Sequence, residues 1–171
     1  WPPTQYLGPH GTGKRVGIVG LGRIGKAIAR RCHYGFGMEV VFHNRSTVTE
    51  PGLPARQLPL HELLAISDFV VIAVPATPQT HHLIGAAELA RMQPHAHLVN
   101  IARGDIVDEA ALIAALEAGQ IAGAGLDVFE REPVVPEALR ALDCVTLLPH
   151  LGTAALEVRD AMGFMALANL T

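Results

Sequence analysis

Three stretches of the 171-residue chain carry polar groups at the ends of apolar runs: LVNIARGDIVDEAAL (98–112), GAGLDVFEREP (123–133) and LLPHLGTAA (147–155). They present Arg103, Asp127 with Glu132, and His150. In open α/β sheets, ligands bind beyond the carboxyl ends of the strands, so side chains at such positions reach a substrate. The residue types suit proton transfer beside an anion. An imidazole titrates near neutral pH, a carboxylate can orient it, and a guanidinium keeps its charge at any working pH. Singly, each has a plainer reading: an Arg after a strand is usually a surface charge, and a lone His a core residue. Their company argues otherwise, because a glycine-rich turn precedes them.

Gly20-Leu21-Gly22-Arg23-Ile24-Gly25 spells G-x-G-x-x-G directly after the apolar run RVGIV and opens an amphipathic stretch. That is the setting in which the motif binds a dinucleotide. Gly20 permits the tight turn, Gly22 lets the backbone approach a pyrophosphate, and Gly25 lets helix and strand pack closely. The helix N-terminus then offers unpaired amides and partial positive charge to the phosphates. Nineteen residues past Gly25 the second strand ends at His43-Asn44. An acid there would bind the ribose hydroxyls of NAD and repel a 2′-phosphate. The chain instead has Asn44, Arg45 and Ser46, all able to donate to phosphate. The expected cofactor is therefore NADP in preference to NAD; the plainer alternative leaves Arg45 a solvated loop residue.

These groups need a scaffold, and the pattern supplies one. Apolar runs at Arg15 to Val19, Glu39 to Phe42, Asp68 to Val74, His97 to Ile101, Ile121 to Val128 and Cys144 to Leu148 read as strands. They are too uniformly apolar for one-sided strands and fit parallel strands covered on both faces. Helical patterns lie between them: Arg23 to His33, Leu60 to Ile66, Ala86 to Met92, Glu109 to Ala118 and Pro136 to Leu142, with a closing helix from about Thr153. Asp108 is placed to cap the Glu109 helix and Gly119 to end it. The stretch 44–58, with Pro51, Gly52 and Pro54, reads as a loop. Alternating β and α elements predict a Rossmann-type, doubly wound parallel α/β sheet in a single domain. Half the residues are hydrophobic, 17% are charged and the net charge is −3, so no basic field points to nucleic acid or an anionic membrane. The longest apolar run, Phe69 to Ala76, is too short for a membrane span.

At these motifs the chain resembles the D-isomer-specific 2-hydroxyacid dehydrogenases. GLGRIGKAIARR, VPATPQTHHLIG, NIARGDIVDEAAL, GLDVFEREP and PHLGT fall in the family's order, and RRCHYGFGMEVVFHNRS leans toward the glyoxylate/hydroxypyruvate and 2-ketogluconate reductase branch. The resemblance implies a catalytic set of Arg103, Glu132 and His150: His150 the proton donor, Glu132 its orienting partner, Arg103 the grip on the substrate carboxylate. Glu at 132, where the formate dehydrogenase branch is expected to have Gln, argues against that branch. It also implies cofactor contacts at Val74, Pro75, Thr77, Thr80, Ile101, Ala102, Asp127 and Gly152, with Asp127 facing the nicotinamide end. The implied activity is hydride transfer between NADP(H) or NAD(H) and a small 2-oxo acid, giving the D-2-hydroxy acid. Two alternatives stay open: a non-catalytic dinucleotide sensor or corepressor-like protein, and an NAD-dependent relative acting on another acid.

Further expectations follow. The family has a second, substrate domain, so residues 1–14 read as a lead-in from it, 153–171 as an inter-domain helix, and the chain alone as poorly active. A homodimer is expected, with Trp1 near the dimer contact. His95-x-His97 lacks further ligands, so no metal is expected. His81 and His82 read as structural. Cys32 and Cys144, far apart, read as small buried hydrophobes in a reducing, cytoplasmic protein.

Overall fold

The computed structural model describes residues 8–170; Trp1 and the start of the lead-in lie outside the described residues. Seven strands form one sheet: β1 (Arg15–Val19), β2 (Glu39–His43), β3 (Ala55–Gln57), β4 (Phe69–Ile72), β5 (His97–Asn100), β6 (Gly123–Leu126) and β7 (Val145–Leu147). Their order is β3-β2-β1-β4-β5-β6-β7, and every pairing is parallel. Helices α1 (Arg23–Arg30), α2 (Leu60–Ile66), α3 (Ala86–Leu89), α4 (Glu109–Glu117) and α5 (Glu137–Arg140) connect them, and α6 (Leu156–Ala168) follows. The family of doubly wound folds predicted from the pattern is the fold found.

The strands are apolar because both faces are covered. Along β4, Val70 and Ile72 join the larger core with Leu63, Leu64, Leu98 and Leu112, while Val71 joins the second core with Ile18, Val40 and Phe42. Alternate residues of one strand thus feed opposite layers, which removes the polar alternation of a one-sided sheet. Each fully buried aliphatic side chain contributes about 1.5–3 kcal/mol. α1 lies close on β1 because Gly25 and Ala29 are its buried residues.

The structure corrects three expectations. The 44–58 loop contains β3, whose residues pair Val40↔Ala55, Val41↔Arg56 and Phe42↔Gln57. The three residues of β3 are too few to show a period, yet they cover the edge of β2. The first helix stops at Arg30 and relaxes into a wider turn over Arg31–Gly35. Cys144 is exposed, since it precedes the outermost strand, while Cys32 is partly buried. The two helix-end readings stand: Asp108 Oδ1 accepts the Ala111 amide at 3.0 Å, and Gly119 is left-handed at φ 63°. Among the described residues, no helix is long and apolar enough to cross a membrane.

Candidate active site

The chain runs outward from β1 in two directions, to β2 on one side and β4 on the other, and the crevice of such a sheet opens at that switch. Gly20 makes the turn at φ 101°, and its amide donates to the His43 carbonyl at 2.9 Å, tying the ends of β1 and β2. A Cβ on Gly25 would lie 2.0 Å from the Gly20 carbonyl oxygen, so only glycine fits there. Gly22 is the opposite case. Nothing lies within 4 Å of a Cβ built on it, leaving the flank of the turn open. The first amides of α1 have no partner within the helix. A cleft of about 460 Å³ follows, lined by Gly22, Arg23, Ile24, Val74, Pro75, Ile101, Ala102 and Arg103 among others. Turn, V-P-A-T-P segment and Arg103 segment therefore share one crevice. Just past the V-P-A-T-P turn, the Thr80 hydroxyl donates to the Pro75 carbonyl at 2.7 Å and accepts the Thr77 amide at 2.8 Å. Thr80 shapes the wall rather than presenting a free hydroxyl.

At the end of β2, Asn44 Oδ1 accepts the Leu21 amide at 3.3 Å, joining this segment to the glycine turn. Asn44 Nδ2 donates to the Ser46 carbonyl at 3.1 Å and the Ser46 hydroxyl at 3.2 Å. Arg45 is exposed, and its guanidinium has no hydrogen bond or ion pair among the described residues. A fixed cation thus stands beside the turn with its donors unspent.

Arg103 is held by what precedes and follows it. The buried Asn100 side chain donates to the Arg103 carbonyl at 2.9 Å and accepts the Ala102 amide at 3.1 Å, folding the segment back on itself. Gly104 then packs against backbone: a Cβ there would lie 1.9 Å from the Phe129 carbonyl carbon. The Arg103 turn is thereby seated on the Phe129–Glu132 loop. Its exposed guanidinium donates to the Ala102 carbonyl at 2.6 Å.

His150 Nδ1 and Glu132 Oε2 are 2.8 Å apart, and Glu132 Oε1 accepts the Phe129 amide at 3.1 Å. The His150 hydrogen bond, helped by the Phe129 amide and by the charges of His150 and Arg103, holds the Glu132 carboxyl below its ordinary range. With the Nδ1 proton toward the carboxylate, the outer Nε2 is left for a ligand. The pair lines a pocket of about 150 Å³ with Phe129, Pro133, Val135 and Pro149. His150 has φ 56°, the left-handed region that a non-glycine residue enters at a cost of about 1–3 kcal/mol. Asp127 offsets it. This carboxylate is only 7% exposed and accepts the Leu151 amide at 2.7 Å and the Gly152 amide at 3.0 Å. Both oxygens grip the His150 loop, a duty the sequence did not announce, and Gly152 enters as a donor to Asp127. The Asn100 side chain, which organises the Arg103 turn, is absent from the sequence-derived set; an amide three residues before the cation was the available signal.

His82, His95 and His97 are engaged elsewhere. His95 Nε2 meets Asp68 Oδ1 at 2.7 Å, while His97 stacks on Phe69. His82 Nε2 meets Glu130 Oε1 at 2.8 Å, and Glu130 Oε1 also accepts the Glu109 amide at 3.1 Å. His82, Asp108 and Glu130 bring one potential ligand atom each within 4.8 Å of the others, a grouping the sequence reading did not single out. Asp108 caps α4 and Glu130 binds its first turn, so the group ties the His82 turn to that helix.

Fold and turn define a class: this is a Rossmann-type dinucleotide-binding domain. The particular family follows from comparison with known proteins. The pattern described as "D-isomer specific 2-hydroxyacid dehydrogenase, NAD binding domain" matches residues 1–152, and the chain belongs to that family. It is 51% identical to the glyoxylate reductase of Thermococcus gammatolerans, over 99% of this chain and 51% of that protein. To the glyoxylate/hydroxypyruvate reductase B of Citrobacter koseri it is 46% identical, over 98% of this chain and 54% of the relative. Among solved structures, a glyoxylate reductase from Paecilomyes thermophila superposes with a TM-score of 0.94 at 41% identity, over 99% of this chain and 52% of that one. An NADPH-dependent glyoxylate/hydroxypyruvate reductase from Sinorhizobium meliloti, in complex with NADP and malonate, superposes at 0.88 with 45% identity, over 92% of this chain and 49% of that one. The chain spans about half the length of the curated relatives it matches.

Proposed function

We propose that the chain is the cofactor-binding part of an NADP(H)-preferring reductase of small 2-oxo acids, glyoxylate or hydroxypyruvate, that yields the D-2-hydroxy acid. The observation that carries this reading is the His150–Glu132 hydrogen bond of 2.8 Å with the Arg103 charge acting on it. The residues fit a dinucleotide: the open flank at Gly22 admits a pyrophosphate, and Arg45 with Ser46 stands ready for a 2′-phosphate. When bound, the reduced nicotinamide supplies the hydride for the carbonyl carbon. His150 Nε2 gives its proton to the carbonyl oxygen, completing the hydroxyl. Glu132 keeps the Nδ1 proton and stabilises the imidazolium before transfer. Arg103 holds the substrate carboxylate and polarises the carbonyl.

Relatives named for glyoxylate and hydroxypyruvate reduction support the substrate class, and one NADPH-dependent relative bound to NADP supports the cofactor. The unpaired Cys32 and Cys144 support a reducing, cytoplasmic setting. A homodimer is part of the same reading, tested by light scattering. The deciding experiment assays glyoxylate and hydroxypyruvate reduction by the intact protein with each reduced cofactor, and repeats it with His150→Asn. Turnover lost with dinucleotide binding retained is expected; an undiminished kcat refutes the proton donor. Tight dinucleotide binding with no turnover of any oxo acid favours the sensor alternative.

A further inference from the structure

The segment after β2, proposed above to meet the 2′ position of the ribose, carries two backbone carbonyls, of Asn44 and Ser46, among its donors. A carbonyl turned toward a phosphate repels it, so a cradle for that group needs its carbonyls occupied elsewhere. One side chain occupies both. Gln57 Nε2 donates to the Asn44 carbonyl at 3.1 Å and to the Ser46 carbonyl at 3.0 Å. Its other atom, Oε1, accepts the Val48 amide at 3.0 Å. A single half-buried amide thus satisfies three backbone groups spread over residues 44–48. Asn44 Nδ2 reaches the same Ser46 carbonyl, so that oxygen is held from two sides.

Gln57 has this reach because it ends β3, paired with Phe42 one residue before the last of β2. Farther along, Lys26 Nζ donates to the Glu50 carbonyl at 2.8 Å and Arg30 to the Gly52 carbonyl at 3.3 Å. Those two contacts fix the distal part of the loop; Gln57 alone among the three grips the stretch containing Arg45.

We infer that Gln57 is a positioning residue for cofactor choice: by drawing the Asn44 and Ser46 carbonyls inward it presents the Arg45 guanidinium and the Ser46 hydroxyl to a ribose 2′-phosphate. The inference rests on the NADP preference proposed above. It touches no reacting atom, and its influence is confined to the phosphorylated ribose. Asn44 Oδ1 on the Leu21 amide keeps the cradle in step with the glycine turn, so the separation of the two phosphate positions is set as well.

Two substitutions test it. Gln57→Leu removes every hydrogen bond while staying neutral; Gln57→Glu keeps an acceptor for Val48 but loses both donations and turns a carboxylate toward two carbonyls. Dissociation constants for NADPH and NADH, and for the nicotinamide-free pair 2′-phospho-ADP-ribose and ADP-ribose, are measured on the wild-type chain and both variants. In both, the 2′-phosphorylated ligands should weaken by about tenfold or more, from two lost hydrogen bonds of ordinary strength, with the others held within about threefold. Equal weakening of both ligand classes assigns Gln57 a merely structural role and overturns the inference. So does a change confined to Gln57→Glu, which reports added charge alone. A wild-type chain that prefers NADH defeats the NADP reading itself; one that prefers NADPH with an unchanged ratio in the variants defeats only the inference about Gln57.

Discussion

Gly104→Ala should damage the site through packing alone. The added methyl would meet the Phe129 carbonyl carbon at 1.9 Å and the Glu130 amide nitrogen at 2.3 Å, where ordinary contact begins at 3.4 Å. One segment must therefore retreat by about 1.5 Å, and neither neighbour is a side chain able to swing aside. Overpacking of this kind costs about 1–3 kcal/mol, or roughly 2–12 °C in Tm for a chain of this size. The movement separates the Arg103 turn from the loop carrying Glu132. Misplacement by about 1 Å costs on the order of 100-fold in rate, so, on the proposed function, kcat/KM for glyoxylate in the intact protein should fall by about that factor. The control is Gly125→Ala in β6, whose methyl would find only Val99 at 3.8 Å, an ordinary contact. There the removal of backbone freedom should leave stability unchanged or raise it by about 0.5 kcal/mol. Thermal unfolding by circular dichroism and steady-state kinetics decide. Equal Tm values for the two variants, or full activity in Gly104→Ala, would show that the Arg103 turn is not seated as described.

Asp127→Asn turns an amide group against one of two backbone amides and removes the charge from the other bond, so it should cost about 2–3 kcal/mol. Hydrogen exchange at Leu151 and Gly152 should accelerate with it; unchanged protection would dismiss the clasp. Glu132 has a folded-state pKa below its unfolded one, so the stability from its pairing with His150 is complete above about pH 4.3 and fades as pH falls through the lower, folded value. Urea midpoints from pH 6 down to 2.5 should drop less steeply in Glu132→Gln, with the residual slope partly due to Glu39, whose hydrogen bond with Arg15 lowers it in the same sense. Identical acid branches would disprove this coupling. Asp108→Ala should lower stability by about 1 kcal/mol through the lost cap on the Ala111 amide, read as a fall of a few degrees in Tm.

The sequence disclosed what depends on local chemistry. Gly20 and Gly25 announce the turn because a φ of 101° at the first and a 2.0 Å approach at the second exclude a side chain, and the buried runs announce the parallel sheet because both faces are covered. The motif residues were legible one by one, and the structure joins Glu132 to His150 directly. Less legible was whatever depends on partners distant along the chain. β3 has too few residues to show a period, and its strand character comes from pairing with β2. Gln57 looks like any loop glutamine until the Asn44 and Ser46 carbonyls are placed around it. Asp127 carried a role from resemblance, but its partners lie twenty-four and twenty-five residues onward, beyond any local pattern.

The Asp127 amide donates to the Asn100 carbonyl at 3.0 Å. Asn100 governs the cation's turn and Asp127 the imidazole's, so the two supports are yoked at adjacent strand ends inside the core. Guanidinium and imidazole then cannot wander independently: a fluctuation that frees one disturbs the other's footing. In the proposed reductase, motion over the cleft would deliver or release a small acid while these two supports stay assembled.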